Sequence, residues 1–148
     1  MGSSGAGLSF RTVTGDDLAW VLGTDPGSAT DARRDHFLRL AVADRRCEIA
    51  LVGDERAGFA VWHRQFFSRP FLALLIVLPA HRRRGTGTRL VRHLVERLAQ
   101  GDTFFTSTNE SNVAAQRFFE KLGFVRSGRI ENLDPGDPEL IYALPPDR

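Results

Sequence analysis

Hydrophobic and polar positions in the first third of the chain predict one strand and two helices. Residues 8–13 are Leu-Ser-Phe-Arg-Thr-Val, an alternation typical of a β-strand. Thr14 stands before two aspartates, which predicts the N-terminal cap of a short helix through Leu22. A second helix is predicted over residues 31–42.

Three strand-like segments follow, at residues 47–52, 57–67 and 71–78. A tight turn over residues 53–56 separates the first two. The third segment is apolar at every position, which predicts a central strand buried on both faces. Pro79 ends it, because proline cannot continue a ladder in the middle of a sheet.

An amphipathic helix is predicted directly after Gly85 and Gly87. Its apolar residues recur at helical spacing and charged residues fill the opposite face. The apolar positions are Leu90, Val91, Leu94, Val95, Leu98 and Ala99. A strand at 103–107 and a helix at 111–122 come next, and Gly123 is placed to end that helix in a left-handed conformation.

Two last strands, predicted at 124–130 and 139–144, complete an order of elements that indicates a mixed α/β fold. The length of 148 residues fits one domain over residues 8–148, after a flexible tail or tag remnant at 1–7. The hydrophobic fraction of 42% and the charged fraction of 26% exclude a mostly disordered chain and a disulfide scaffold.

Cysteine content and hydropathy both favour a cytoplasmic location. Cys47 is the single cysteine and cannot form an internal disulfide, so we expect a reducing compartment. The first seven residues lack the apolar core of a secretory signal. The longest apolar run, residues 71–80, is too short to cross a bilayer, so no membrane partner is expected.

The charge balance argues against a general nucleic-acid-binding protein. The chain has twenty basic and eighteen acidic residues, a formal net charge of +2. Any function that depends on positive charge must therefore come from a local cluster of basic residues. The tightest basic cluster is Arg82 to Arg84.

These arginines lie in the segment with the clearest chemistry, residues 77–88, where a buried strand, a glycine-containing loop and a long helix follow one another. The first N–H groups of a helix lack acceptors and its dipole attracts anions there, while glycine lets a phosphate approach the backbone. No Gly-Lys-Ser/Thr follows, which excludes a P-loop, and Leu90 occupies the third glycine position of a dinucleotide fingerprint. The alternative is a plain turn with a solvated arginine face.

Two linked motifs resemble the acyl-CoA-binding signature of the GNAT family of N-acetyltransferases. The first is Arg82-x-x-Gly85-x-Gly87 after a strand that ends in Val-Leu-Pro. The second is Asn-Val-Ala-Ala from Asn112, followed by the Gly-Phe pair at Gly123. The resemblance implies a single GNAT-like domain, with a mixed, mostly antiparallel central sheet that splays at the CoA site and about four flanking helices.

The resemblance also implies an acetyl-CoA site. The loop backbone would bind the CoA diphosphate, the strand end at Val77 would pair with the pantetheine arm, and Asn112 would hydrogen-bond the pantetheine region. The implied residues are Val77, Leu78, Arg82, Arg83, Arg84, Gly85, Thr86, Gly87, Thr88, Asn112 and Phe119.

The chain departs from the family at its catalytic positions. Phe119 occupies the place where many members have a tyrosine that protonates the CoA sulfur. Another group or a water would do that work, or the thiolate would leave unassisted. Ser107 stands where some members have a glutamate base. Ser107 and Glu110 are the candidate catalytic residues, and His63 and Glu131 are further candidates for the base.

The sequence gives fewer indications of the residues that bind the acceptor amine. His63, Glu131 and Asp134 are the candidate acceptor-binding residues, because acids after Ile130 would attract a cationic amine. A plain surface loop, with His63 facing solvent, is the alternative. His81 is expected on the loop surface and Cys47 in strand packing, and no spacing indicates a metal site.

The sequence therefore predicts transfer of acetyl from acetyl-CoA directly to an amine, with a small-molecule acceptor favoured. Alternatives are a protein N-terminal or lysine acetyltransferase, or a non-catalytic acyl-CoA-binding domain. Acetyl-CoA and the amine are the expected partners, without nucleic acid, and the chain would be a monomer or a homodimer.

Overall fold

The computed structural model describes residues 7–146, so most of the predicted tail at 1–7 lies outside the described residues. Two 3-10 turns, Gly15–Asp17 and Pro79–His81, accompany the regular elements. In chain order these are β1 (Leu8–Thr12), α1 (Leu18–Thr24), α2 (Ala32–Ala43), β2 (Cys47–Val52), β3 (Glu55–Phe66), β4 (Arg69–Val77), α3 (Thr86–Leu98), β5 (Phe104–Asn109), α4 (Val113–Lys121), β6 (Val125–Ile130) and β7 (Glu139–Leu144).

The strands form a mixed sheet in the order β1-β2-β3-β4-β5-β7-β6. The pairs β1–β2, β2–β3, β5–β7 and β6–β7 are antiparallel, and β4 pairs with β5 in parallel at Phe71–Phe105 and Leu72–Thr106. The predicted mixed α/β class with a mostly antiparallel sheet and four helices is thereby confirmed. The splay of the sheet stays a prediction.

The described chain forms two compact units, and its assignment to one domain stays a prediction. The first unit contains residues 7–62 and 74–93, and its buried residues include Val21, Leu38, Ile49 and Phe59. The second contains residues 63–73 and 94–146. Its buried residues include Phe104, Phe119, Phe124, Leu140 and Tyr142.

Two local predictions were wrong. The turn after β2 is limited to Gly53 and Asp54, where a φ of +60° at Gly53 makes the reversal, and β3 already begins at Glu55. The apolar strand β4 is central, but residues 73–78 are half-buried rather than buried on both faces. Its apolar side chains therefore form a partly uncovered surface, which is typical of a binding site.

The predicted helix after Thr14 begins as the 3-10 turn Gly15–Asp17, where Thr14 and Asp17 form a capping box. The Asp17 carboxylate accepts from the Thr14 backbone N–H at 2.9 Å, and the side chain is buried. Arg11 and Arg56 bind the same carboxylate at 2.7 and 3.1 Å. These contacts, chiefly the hydrogen bond from Arg11, hold the pKa of Asp17 well below its ordinary value.

We expect Asp17→Asn to destabilise the protein by about 2 kcal/mol at pH 7, because two guanidinium groups lose their anionic partner. A carboxyl whose pKa is lowered by folding stabilises the fold above its unfolded pKa, and that stabilisation disappears as pH falls toward the folded pKa. The difference between wild type and variant should therefore shrink below about pH 4 in urea unfolding. Exposed Asp16→Asn is the matched control, and an equal loss in both variants would contradict the assignment.

Candidate functional site

The loop between β4 and α3 lies within the first unit, and two of its residues have a left-handed backbone. After the 3-10 turn Pro79–His81, Arg83 and Gly85 both adopt left-handed conformations, with φ of +62° and +77°. Glycine adopts this conformation without steric cost, and no heavy atom lies within 4 Å of a Cβ built on Gly85. Helix α3 begins at the next residue, Thr86, so it includes Gly87, after which the sequence analysis placed its start.

The start of α3 has the geometry of an anion-binding site. The Arg89 N–H donates to the Gly85 carbonyl, so the N–H groups of residues 86–88 precede the hydrogen-bonded ladder of the helix. Arg83 and Arg84 are exposed beside these groups, while Gly87 and Thr88 are half-buried and Thr86 is buried. Backbone donors, a helix dipole and guanidinium groups together suit a diphosphate.

Arg82 is exposed, and its guanidinium group also contacts the end of the strand. Its Nε donates to the Val77 carbonyl at 2.9 Å, so the structure brings together two of the predicted site residues. The contact ties the loop to the end of β4, next to half-buried Leu78. We therefore expect Arg82 to act on the loop conformation as well as on charge.

His81, expected on the surface, is only 5% exposed. Its Nε2 lies 3.2 Å from Oε2 of Glu55, and its backbone N–H donates to the Leu78 carbonyl at 2.9 Å. The expectation was wrong because the 3-10 turn folds the imidazole inward. His81 thus stabilises the conformation of the loop through these contacts.

The second unit carries the other predicted donor-site residues at α4. Asn112 caps the helix, with its Oδ1 accepting from the Ala115 N–H at 3.1 Å. Phe119 is 6% exposed and packs edge-to-face against Phe118 and Phe124. The position therefore holds a buried apolar ring that has no proton to donate.

Ser107, predicted from its position, has a partner that sequence reasoning missed. Its hydroxyl donates to Oε2 of Glu139 at 2.7 Å, and both side chains are half-buried. The two residues are 32 positions apart and meet because β7 pairs with β5 in antiparallel orientation. Glu139 as the first residue of a predicted strand was the one available signal.

The candidate residues Glu110 and Glu131 are both engaged by Arg129, which the sequence had not singled out. Arg129 lies 2.9 Å from Glu110 and 2.5 Å from Glu131, and all three side chains are exposed. Its hydrogen bond to Glu131, the larger effect, and its interaction with Glu110 raise the pKa of Arg129. Protonation of either carboxylate would remove the charge that pairs with Arg129.

The acidic loop between β6 and β7 is tied to the end of β5. Asp134 accepts from Asn109 Nδ2 at 2.9 Å, and Asp137 accepts from the backbone N–H and the hydroxyl of Ser111. These carboxylates therefore position the loop. Attraction of an amine by Asp134 stays a prediction.

His63 is half-buried rather than simply solvent-facing. Its Nδ1 accepts from the Gln65 N–H at 3.0 Å, and its ring stacks on Phe71 with centroids 5.1 Å apart. Phe66 contacts both Phe71 and Phe105. His63 thus contacts one ring of an aromatic cluster in the second unit.

Cys47 is buried, and desolvation raises the pKa of its thiol to about 12, in agreement with a packing role. Among residues 7–146, no three His, Cys, Asp or Glu side chains form a metal-binding group. Within the same range, no helix is long and apolar enough to span a membrane.

Comparisons with known proteins agree on one family. The model of the acetyltransferase (GNAT) family matches residues 16–124. N-alpha-acetyltransferase 30 of Xenopus laevis is 36% identical over 90 residues, which cover 57% of this chain but 33% of that protein. Peptidyl-lysine N-acetyltransferase YjaB of Salmonella typhimurium is 37% identical over 93 residues, 60% of this chain and 59% of that one. The crystal structure of a GNAT-family acetyltransferase from Bacillus cereus aligns with a TM-score of 0.84 and 33% identity, covering 96% of this chain and 99% of that chain.

Proposed function

The chain belongs to the GNAT family of acetyltransferases, and we propose that it transfers acetyl from acetyl-CoA to the free α-amine of a protein N-terminus. Membership makes it an acetyl-CoA-dependent N-acyltransferase. The proposal concerns the acceptor and the residues that serve each substrate.

The loop from Arg82 into α3 is the observation that supports the acetyl-CoA part of the proposal. Free helical N–H groups, exposed guanidinium groups and the left-handed Gly85 occur together there, and we assign the CoA diphosphate to this loop. Half-buried Val77 and Leu78 are the apolar strand end that we assign to the pantetheine arm.

The acceptor class is supported by the relatives and by acid–base chemistry. Both sequence relatives are named for acetylation of protein amines, one at the N-terminus and one at lysine. An α-amine has a pKa near 8, so roughly a tenth is neutral at pH 7, whereas a lysine side chain with a pKa near 10.4 is neutral well below one part in a thousand. Because the titratable candidates here are carboxylates and one histidine, the α-amine is the acceptor they can deprotonate most readily.

An amine panel tests the proposal. Acetyl-CoA is mixed with peptides that have a free α-amine, with N-terminally blocked lysine peptides and with small amines, and thiol release and product mass are measured. We expect free-α-amine peptides to react at least tenfold faster in kcat/KM than the other two groups. Faster reaction of a small amine would favour the acceptor predicted from the sequence, and faster reaction of blocked peptides would favour lysine; either result refutes the N-terminal assignment.

A further inference from the structure

Amine acetylation needs a group that removes a proton from nitrogen, and in the second unit one carboxylate is placed differently from the others. Glu139 is half-buried at the start of β7, and within residues 7–146 it forms no ion pair. Its Oε2 accepts the Ser107 hydroxyl at 2.7 Å, whereas its Oε1 has no hydrogen-bond partner in the described part of the chain. One oxygen is thus held in place and the other can accept a proton.

The neighbouring carboxylates already form ion pairs or hydrogen bonds with other residues. Glu110 and Glu131 bind Arg129, and Asp137 holds Ser111 at two points. Both oxygens of Asp137 are engaged, and a proton on Glu110 or Glu131 would remove the charge that pairs with Arg129, whereas Glu139 has no ion pair to lose within residues 7–146.

The sheet register places Glu139 on a partly uncovered face. Asn109 lies opposite Glu139 and Ser107 opposite Ile141 in the antiparallel pair, and residues opposite each other point to the same side. Phe105 shares this side with Ser107 because it lies two residues earlier in β5, and it is half-buried as well. Thr106 and Thr108, which point to the other side, are buried.

We propose that the Glu139 carboxylate removes the proton from the acceptor amine and that the Ser107 hydroxyl positions it. The neutral amine attacks the thioester carbonyl, a C–N bond forms, and Glu139 takes the extra proton from nitrogen. The C–S bond breaks, its electron pair leaves on sulfur, and the CoA thiolate takes a proton from solvent, to which Glu139 later returns its own. This assignment rests on amine acetylation and not on which amine is used.

The test compares Glu139→Gln with wild type on the amine of the panel that wild type acetylates fastest. Glutamine keeps an oxygen for Ser107 but cannot accept the proton, so we expect kcat/KM to fall roughly 100-fold or more. Acetyl-CoA affinity by calorimetry should change less than twofold. Glu120→Gln is the matched control, because Glu120 also accepts a hydroxyl, that of Tyr142, and should leave the rate unchanged.

A second readout separates proton transfer from packing. Fluorination beside the acceptor nitrogen lowers the basicity of the amine, and the rate loss in Glu139→Gln should shrink for that acceptor. A structural defect would reduce the rates with both acceptors equally. In the Glu139→Gln background, Ser107→Glu returns a carboxylate to the same face and should restore at least tenfold of the lost activity. If Glu139→Gln does not fold, Glu139→Asp and Ser107→Ala replace it, with partial losses expected at unchanged acetyl-CoA affinity.

The two proposals fail in different ways. An active wild type whose Glu139 variants stay within threefold of its rate, or whose losses Glu120→Gln reproduces, overturns the role of Glu139 alone. A wild type that acetylates no amine in the panel overturns the proposed function and this assignment with it.

Discussion

Gly85→Glu abolishes acetyl-CoA binding, with affinity at least 100-fold below wild type, while the protein remains folded. Gly85 has a φ of +77° and directly precedes α3, so the new carboxylate would stand among the N–H groups and arginines assigned to the diphosphate. A fixed negative charge there repels the phosphates and occupies their donors. Isothermal calorimetry with acetyl-CoA measures the loss, and circular dichroism checks folding.

Two control variants separate charge from backbone strain. A side chain in the left-handed conformation costs roughly 1–2 kcal/mol wherever it occurs. Gly85→Ala carries this strain without the charge, and Gly53→Glu carries both in the turn after β2, where φ is +60° and the space is also open. Equal acetyl-CoA affinity in Gly85→Glu and Gly85→Ala would rule out the loop as the diphosphate site.

The predictable part of the molecule is the part specified by local chemistry. Helix α3 follows from its apolar spacing, and the end of α4 follows from Gly123, which has a φ of +100°. The loop before α3 follows from proline, arginine and glycine in succession. Each depends on a few neighbouring residues, so the sequence contains the whole signal.

The remaining features depend on contacts between distant residues. The Ser107–Glu139 hydrogen bond exists because β7 lies between β5 and β6, and nothing local in either segment indicates that order. The partner of buried His81 is Glu55, 26 positions away. The burial of β4 was mispredicted for a related reason. An apolar run shows that a strand is suited to burial on both faces, but the elements packed around the strand determine how much of it is covered.

The surroundings of Gly58 also depend on residues distant in the sequence, and substitution of this glycine has the largest expected effect on stability. A Cβ built on Gly58 lies 2.5 Å from the Ile76 carbonyl oxygen and 3.1 Å from Val77 Cα, both backbone atoms that cannot move aside alone. The Leu78 N–H donates to the Ala57 carbonyl at 2.9 Å, so any shift that relieves the clash also strains this contact. Glycine inside a strand often marks such a close approach, a signal that was present in the sequence.

We expect Gly58→Ala to destabilise the protein by about 3 kcal/mol and to lower Tm by roughly 10 °C. Because the clash lies at the strand end assigned to the pantetheine arm, acetyl-CoA should bind less tightly to the folded fraction as well. Gly23→Ala is the matched control: it adds the same methyl group to α1 in open space, where alanine favours the helix and should stabilise by up to about 1 kcal/mol. Urea unfolding measures the loss of stability in Gly58→Ala and the gain in Gly23→Ala. A Gly58→Ala protein as stable as wild type would contradict the close approach of β3 and β4.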